Sequence, residues 1–235
     1  MNALGDLVAR ERRSDDPALS IPHSGGYDYH RLCTTAWKTG NFLRHLGVRE
    51  GVSVGIVTSP SAQPVLGFLG AMLLGSTVRF DPPNEFDARV LLAPTEGVGD
   101  YELPPGGQYV AYGKSPTDPN VSHFETDVWS ENPTFPETPI PPETTALTGE
   151  TDVSHEELIG AGRRIADQWN LKPGNAVVVR APLADPRAVG GGIVAPLIAG
   201  AEIVLDTDRI GEFAIACDGD DVPDGSVLTA GDVSV

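Results

Sequence analysis

The residues of this 235-residue chain whose types suit chemistry are five histidines, two cysteines, a triple glycine and one dense acidic turn. His23, His30, His45, His123 and His155 lack the spacing of metal ligands. His30 and His155 fall in the first turns of predicted helices and are expected at the surface or in the capping region. No Ser-His-acid set is legible. Asp218-Gly219-Asp220-Asp221 has the flavour of a calcium loop, but Val222 stands at a ligand position and no Glu follows at the required distance. A solvated acidic turn is expected there. Gly190-Gly191-Gly192 lacks GxGxxG spacing and sits where a helix should begin, so close helix packing is expected rather than phosphate binding. Cys33 and Cys217 form neither a disulfide framework nor a CxxC pair. No catalytic residue and no metal site follow from these positions.

Charge bounds the partners. The chain carries 33 acidic and 16 basic residues, a formal net charge of −17. Only Lys38, Lys114 and Lys172 are lysines. An acid excess spread along the whole chain is the pattern of a halophile's cytoplasm, where surface carboxylates stay hydrated and their repulsion is screened. An acidic surface made for one basic partner would concentrate the charge in a block or tail. Nucleic acid is not an expected ligand, because phosphate contacts need clustered Lys and Arg. The first residues lack an apolar signal core, and the longest apolar run, Val65 to Leu74, is too short to span a bilayer. A soluble cytoplasmic protein without membrane partners is expected.

The elements that must position any site form a unit used twice. Around Asp152 to Thr207, Ser154 and Glu157 predict a capping box, and Leu158, Ile165 and Trp169 recur at helical spacing. Lys172-Pro173-Gly174-Asn175 is turn chemistry, Ala176 to Val179 a buried strand, and a small-residue helix runs to Ala199 with Gly200 as its stop. Ile203 to Leu205 is the next strand. The earlier copy runs from Asp28, a predicted N-cap, to Asp81, with strands at Val52–Val57 and Thr77–Phe80. Further strands are expected at 90–93 and 108–112, and their counterparts at 213–216 and 226–229. The reading is an α/β fold of two similar lobes, an internal duplication. The first α/β lobe spans 1–112, a Pro-rich acidic linker 113–146, and the second lobe 147–235. Leu4 to Arg12 reads as a short helix and Ser14 to Gly26 as loop. Trp129 and Phe135 are candidates to pin the linker to a lobe.

Several fragments then resemble one family. Tyr27-Asp28-Tyr29-His30-Arg31-Leu32 is similar to its Thr-Tyr-x-x-Leu helix start. Leu46-Gly47-Val48-Arg49-Glu50-Gly51-Val52-Ser53-Val54 resembles Leu-Gly-Val-x-x-Gly-Asp-x-Val, and Gly67 to Ser76 resembles its Gly-Ala-Leu-x-Ala-Gly helix. Ser154-His155-Glu156-Glu157-Leu158 is similar to Thr-His-x-x-Leu, and Pro196-Leu197-Ile198-Ala199-Gly200-Ala201 to Pro-Leu-x-x-Gly-Ala. In order and spacing they resemble the N-terminal domain of the AMP-forming acyl-CoA synthetases and related adenylate-forming enzymes. That domain contains two similar α/β subdomains. The resemblance implies ATP or AMP and CoA as candidate ligands.

The departures fall on the chemistry. Family members carry a Ser/Thr/Gly loop ending in Pro-Lys-Gly just before Thr-His-x-x-Leu, whose amides and Lys meet the ATP phosphates. Here the place reads Thr144 to Val153, with Thr148 and Gly149 as a nucleotide-binding remnant, no Lys, no second Gly, and Glu150 and Asp152 of the wrong sign. Where the family has an aromatic-His pair near its acyl pocket, this chain has Pro182-Leu183-Ala184-Asp185-Pro186. The family's aromatic-Gly-x-Thr-Glu segment, ribose-binding Asp and small C-terminal domain with a catalytic Lys would lie beyond Val235. The second unit reaches almost to the C-terminus, so the chain reads as a completed structure.

The expectation is therefore a non-catalytic binding or scaffold relative, a pseudoenzyme lacking the phosphate loop. Two alternatives stay open: a minimal or split acyl-CoA ligase working with a second polypeptide, and a module that binds an acyl or nucleotide ligand without turnover. The general acid excess also makes a prediction. The melting temperature should rise strongly between low and molar KCl; a flat response would mean that the charge serves a partner instead.

Overall fold

The computed structural model describes every residue except Ser24 and Glu137, which lie in the predicted 14–26 loop and in the Pro-rich linker. In chain order, Leu4–Val8 and Arg10–Arg12 are 3-10 turns. Strands β1 (Pro17–Ser20) and β2 (Tyr27–Asp28) then pair antiparallel and lead into α1 (Tyr29–His45). There follow β3 (Ser53–Ile56), α2 (Ala62–Met72), β4 (Thr77–Phe80), β5 (Val90–Pro94), β6 (Gln108–Tyr112), β7 (Val121–His123) and α3 (Phe124–Ser130). A second antiparallel pair, β8 (Thr145–Leu147) and β9 (Val153–Ser154), leads into α4 (His155–Gln168). The chain continues through β10 (Ala176–Val179), α5 (Pro186–Val189), a π turn (Gly190–Val194), α6 (Ala195–Ala199), β11 (Glu202–Val204), β12 (Phe213–Ala216) and β13 (Ser226–Thr229).

These strands form two sheets, ordered β7-β6-β5-β3-β4-β8-β9 and β13-β12-β10-β11-β1-β2. Apart from the hairpins, every ladder is parallel. The core strands read as apolar runs because helices cover their faces. The hairpins cross over. Strand β1, which feeds the first lobe's α1, pairs with β11 of the second lobe through Leu19↔Ile203 and Ser20↔Val204. Strand β8, which feeds the second lobe's α4, pairs with β4 of the first through Val78↔Leu147, and the Thr148 N–H donates to the Val78 carbonyl at 2.9 Å. Each sheet is completed by the other lobe's leading hairpin.

Local chemistry fixes the helix starts as expected. The Asp28 carboxylate accepts the Arg31 N–H at 2.6 Å, and Ser154 with Glu157 makes a reciprocal capping box. Gly200 closes α6 in the left-handed region at φ 74°. The triple glycine packs. A Cβ on Gly191 would stand 2.5 Å from Ile215 Cδ1 of β12, and one on Gly192 2.8 Å from Val179 Cγ2 of β10.

Three expectations need revision. The segment 14–26 is not all loop, because β1 occupies Pro17–Ser20 and finds its partner 184 residues away (203 − 19) in β11. Within the Pro-rich stretch, β7, α3 and the start of β8 are regular. Phe135 does pin that stretch, lying where a Cβ on Gly40 would come within 2.8 Å of its ring, and buried Asn41 donates to the Asn132 and Thr134 carbonyls. Trp129 is 81% exposed and is tied to α1 through Lys38, whose ammonium donates to the Trp129 carbonyl at 2.6 Å and lies 5.0 Å from its ring.

His155 is the third. It is fully buried, because the N-terminal 3-10 turn lies over it and the Leu4 N–H donates to its Nδ1 at 3.0 Å. The Nε2 proton then has no acceptor among the described residues. Burial pushes its pKa down to about 4, against a smaller upward pull from the Asp6 carboxylate.

Two predictions follow from this packing. Between about pH 6.5 and about 4 the unfolded chain binds a proton at His155 that the folded chain refuses. Stability should therefore fall as pH drops through that window, by an amount on the order of 3 kcal/mol from this group. Denaturant titrations of His155→Gln should show a shallower loss than the parent; identical pH profiles would refute the assignment. Separately, Gly192→Val should overpack the contact with Val179 and cost about 1–3 kcal/mol, read as a Tm several degrees lower.

Candidate functional site

A cleft of about 460 Å³ opens where the carboxyl end of β4 meets the β8–β9 turn and the loop before α5. Its walls include Arg79 and Asp81, Thr148 to Thr151, and Ala184 to Arg187. The hairpin exchange creates it, since β8 brings the second lobe's leading turn onto the edge of β4.

The predicted remnant, Thr148 and Gly149, lies in this turn and lines the cleft. Thr148 is closed on itself. Its Oγ1 donates to Asp152 Oδ1 at 2.6 Å while its N–H is spent on Val78. A Cβ on Gly149 would meet nothing within 4 Å, so no protein atom requires a glycine there. Glu150 is exposed at the tip. A polyphosphate needs free amides and cations at this place, and the turn offers a carboxylate-bound hydroxyl and two acids instead. The residues of the turn do not fit that group.

The cations of the cleft come from outside the turn. Arg187 grips the N-cap of its own helix, with Nε 2.9 Å from Asp185 Oδ1 and Nη2 2.7 Å from Oδ2. Burial pushes the Asp185 carboxyl up, but the hydrogen bonds from the Arg187 side chain and backbone outweigh it and hold the pKa below the usual value. Arg79 stands over the Phe86 ring at 5.5 Å. Asp81 adopts φ 45° and accepts both the N–H and the hydroxyl of Thr58 at 2.7 Å. Of the two arginines lining the cleft, Arg187 is paired with Asp185 and Arg79 lies over Phe86, while Asp81, Glu150 and Asp185 supply carboxylates to the same lining.

Sequence reasoning placed the turn but missed Arg79 and Arg187. Signals for both existed: Arg79 is the one charge in the apolar strand Thr77–Phe80, and Arg187 follows an Asp-Pro helix start. The acidic-turn candidate does not line the cleft, although Asp218 is near enough to Arg187 for their charges to interact. Asp218 to Asp221 is an exposed turn in which Asp218 accepts the Gly231 N–H at 3.0 Å. Among the described residues no group of three or more His, Cys, Asp or Glu side chains can hold a metal.

No family model and no curated relative matches the sequence. Solved structures do match. The anthranilate CoA ligase AuaEII in complex with anthranoyl-AMP superposes with a TM-score of 0.78 at 18% identity, covering 91% of this chain and 49% of that one. A putative long-chain-fatty-acid CoA ligase from Rhodopseudomonas palustris gives 0.77 at 14% identity, with 92% and 63% covered. The N-terminal domain of FACL13 from Mycobacterium tuberculosis gives 0.72 at 14% identity, with the same coverages. This chain spans about half the length of the anthranilate CoA ligase it matches. Sheet order, paired lobes and these superpositions agree that the chain has the fold of the N-terminal domain of the adenylate-forming acyl- and aryl-CoA ligases.

Proposed function

We propose that this protein is a non-catalytic relative of the AMP-forming ligases, a binding or scaffold protein that keeps their fold without their phosphate chemistry. The observation that carries the reading is the Thr148–Asp152 hydrogen bond at the place where the resemblance puts a phosphate loop. Adenylation requires the ATP phosphates to be held while a carboxylate, itself negative, attacks the α-phosphorus, so charge neutralisation dominates the catalysis. Here Asp152 holds the hydroxyl, Glu150 adds a second negative charge, and Arg187 is engaged by Asp185. A carboxylate beside a polyphosphate is repulsive by more than about 1 kcal/mol wherever water is partly excluded. Fold and chemistry separate readily, because function resides in the site and not in the architecture.

The intact cleft favours a second reading: an acyl or nucleotide ligand held between the lobes without turnover. Its volume suits a small molecule, for which about 300–1,000 Å³ is typical. A third reading, a ligase working with a second polypeptide, is separated by pyrophosphate exchange. The acid excess belongs to the same proposal as an adaptation to a salt-rich cytoplasm, and the matching order of elements in the two sheets supports a duplicated unit. Among the described residues no helix is long and apolar enough to cross a membrane.

ATP–pyrophosphate exchange in molar KCl, with acetate, longer fatty acids and aryl acids, decides among these. No carboxylate-dependent exchange above a protein-free control is expected. Exchange by the chain alone would overturn the reading, and exchange only with a second purified polypeptide would favour the split ligase. A thermal-shift series with ATP, AMP, CoA and acyl-CoA separates the binding module from a scaffold, since a ligand of the native state raises Tm by mass action.

A further inference from the structure

A side-chain cluster that the cleft does not use lies three strands from β4 in the first sheet, where β6 ends and α3 begins. His123, Glu125 and Gly113 meet there. His123 Nε2 stands 3.1 Å from Glu125 Oε2 and 3.4 Å from the Gly113 carbonyl oxygen. Oε2 is buried and has no hydrogen-bond partner among the described residues, so the 3.1 Å approach lacks the alignment of an N–H···O bond. A buried acceptor left without a donor calls for an ion or a water.

The other atom of each group is anchored. Glu125 Oε1 accepts the Gln63 amide at 2.7 Å and the Gly113 N–H at 2.9 Å, which occupies that oxygen and leaves Oε2 free. Gly113 makes both its contacts from the left-handed region, at φ 93°, where glycine is unstrained. His123 Nδ1 lies 2.8 Å from Thr126 Oγ1, and the His123 N–H donates to Asp127 Oδ2 at 3.0 Å. With Nδ1–H donating to the threonine, the Nε2 lone pair is left facing Oε2 and the carbonyl.

Those spacings fit a metal ion. Bonds of about 2.0–2.2 Å put neighbouring ligands roughly 3.0–3.5 Å apart, from octahedral to tetrahedral angles. One imidazole nitrogen, one carboxylate oxygen and one carbonyl oxygen suit a borderline ion such as Zn²⁺ better than Mg²⁺, which prefers oxygens alone. Ligating histidines and carboxylates are characteristically held through their other atom, as both are here. Histidine spacing along the chain does not show the site, because it has one His and one Glu and takes its third ligand from the backbone.

We propose that His123, Glu125 and the Gly113 carbonyl hold a divalent transition-metal ion of the zinc class, with water completing its coordination, and that the ion clips the start of α3 to the end of β6. The site is independent of the cleft, and its outcome does not bear on adenylation.

The test is calorimetric titration of the full, metal-stripped chain in molar KCl with Zn²⁺, and with Mg²⁺ to measure what the general acid excess holds by charge alone. Zn²⁺ should bind saturably at one equivalent, and Mg²⁺ should not at the same concentration. His123→Gln and Glu125→Gln should each weaken Zn²⁺ about ten-fold or more, whereas His45→Gln, which breaks the His45–Glu131 pair, should leave it unchanged. Thr126→Val, at an exposed position that leaves the fold intact, should weaken Zn²⁺ about ten-fold by freeing the imidazole. Zn²⁺ should also raise the Tm of the parent but not of His123→Gln. Four results would each overturn the proposal: no saturable Zn²⁺ binding to the parent, Mg²⁺ binding as tightly as Zn²⁺, unchanged Zn²⁺ affinity in His123→Gln or in Thr126→Val, or a loss that follows His45→Gln and spares His123→Gln.

Discussion

Neither sheet can be completed by its own lobe. The outermost strands of each, β8–β9 in one case and β1–β2 in the other, belong to the chain that leads into the opposite lobe's first helix. The exchanged strands carry Ala18, Leu19, Ala146 and Leu147, all essentially buried. Burying a leucine is worth about 2 kcal/mol, and each of these is realised only when the other lobe is in place. The main hydrophobic cluster reflects this, running from Leu4 and Leu7 through α1 and α2 to Leu197 and Ile203. The lobes are alike in plan and inseparable in energy.

Further ties cross the same seam. Arg12 donates to the Leu197 and Ile198 carbonyls at the end of α6, where the helix dipole favours a cation. The Tyr29 hydroxyl donates to the Ala201 carbonyl at 2.7 Å, and burial pushes its pKa far up, so it remains a neutral donor. His155 accepts from Leu4 across the lobes. An N-terminal segment of a dozen residues thus acts as part of the interlobe core and not as a tail.

How much of this was legible depended on whether the signal was local. Helix caps at Asp28 and Ser154, the stop at Gly200 and the apolar runs of β3, β5, β10 and β12 are written within a few neighbouring residues, and they stand where they were read. Strands β1, β8 and β9 have four, three and two residues, too few to show a period, and are defined by partners far along the chain. His155 was misjudged for the same reason. A first-turn position speaks of exposure, and only the fold reveals that Leu4 covers it. The site divides likewise: a turn with no lysine and with acids at Glu150 and Asp152 is plain in the sequence, whereas the company kept by Arg79 and Arg187 is a product of assembly.

The hairpin exchange also separates what the architecture requires of this turn from what its side chains present to the cleft. The turn from Thr148 to Asp152 has two separable duties, since it joins β8 to β9 and presents residues to the cleft. The first duty is structural and strict, because losing that hairpin would strip the edge of β4 and uncover Ala146 and Leu147. Only the second depends on what the turn's side chains are. The Thr148–Asp152 hydrogen bond meets the first duty from within the turn. The mutually bonded Thr148–Asp152 pair favours the closed turn, and with it the completed sheet.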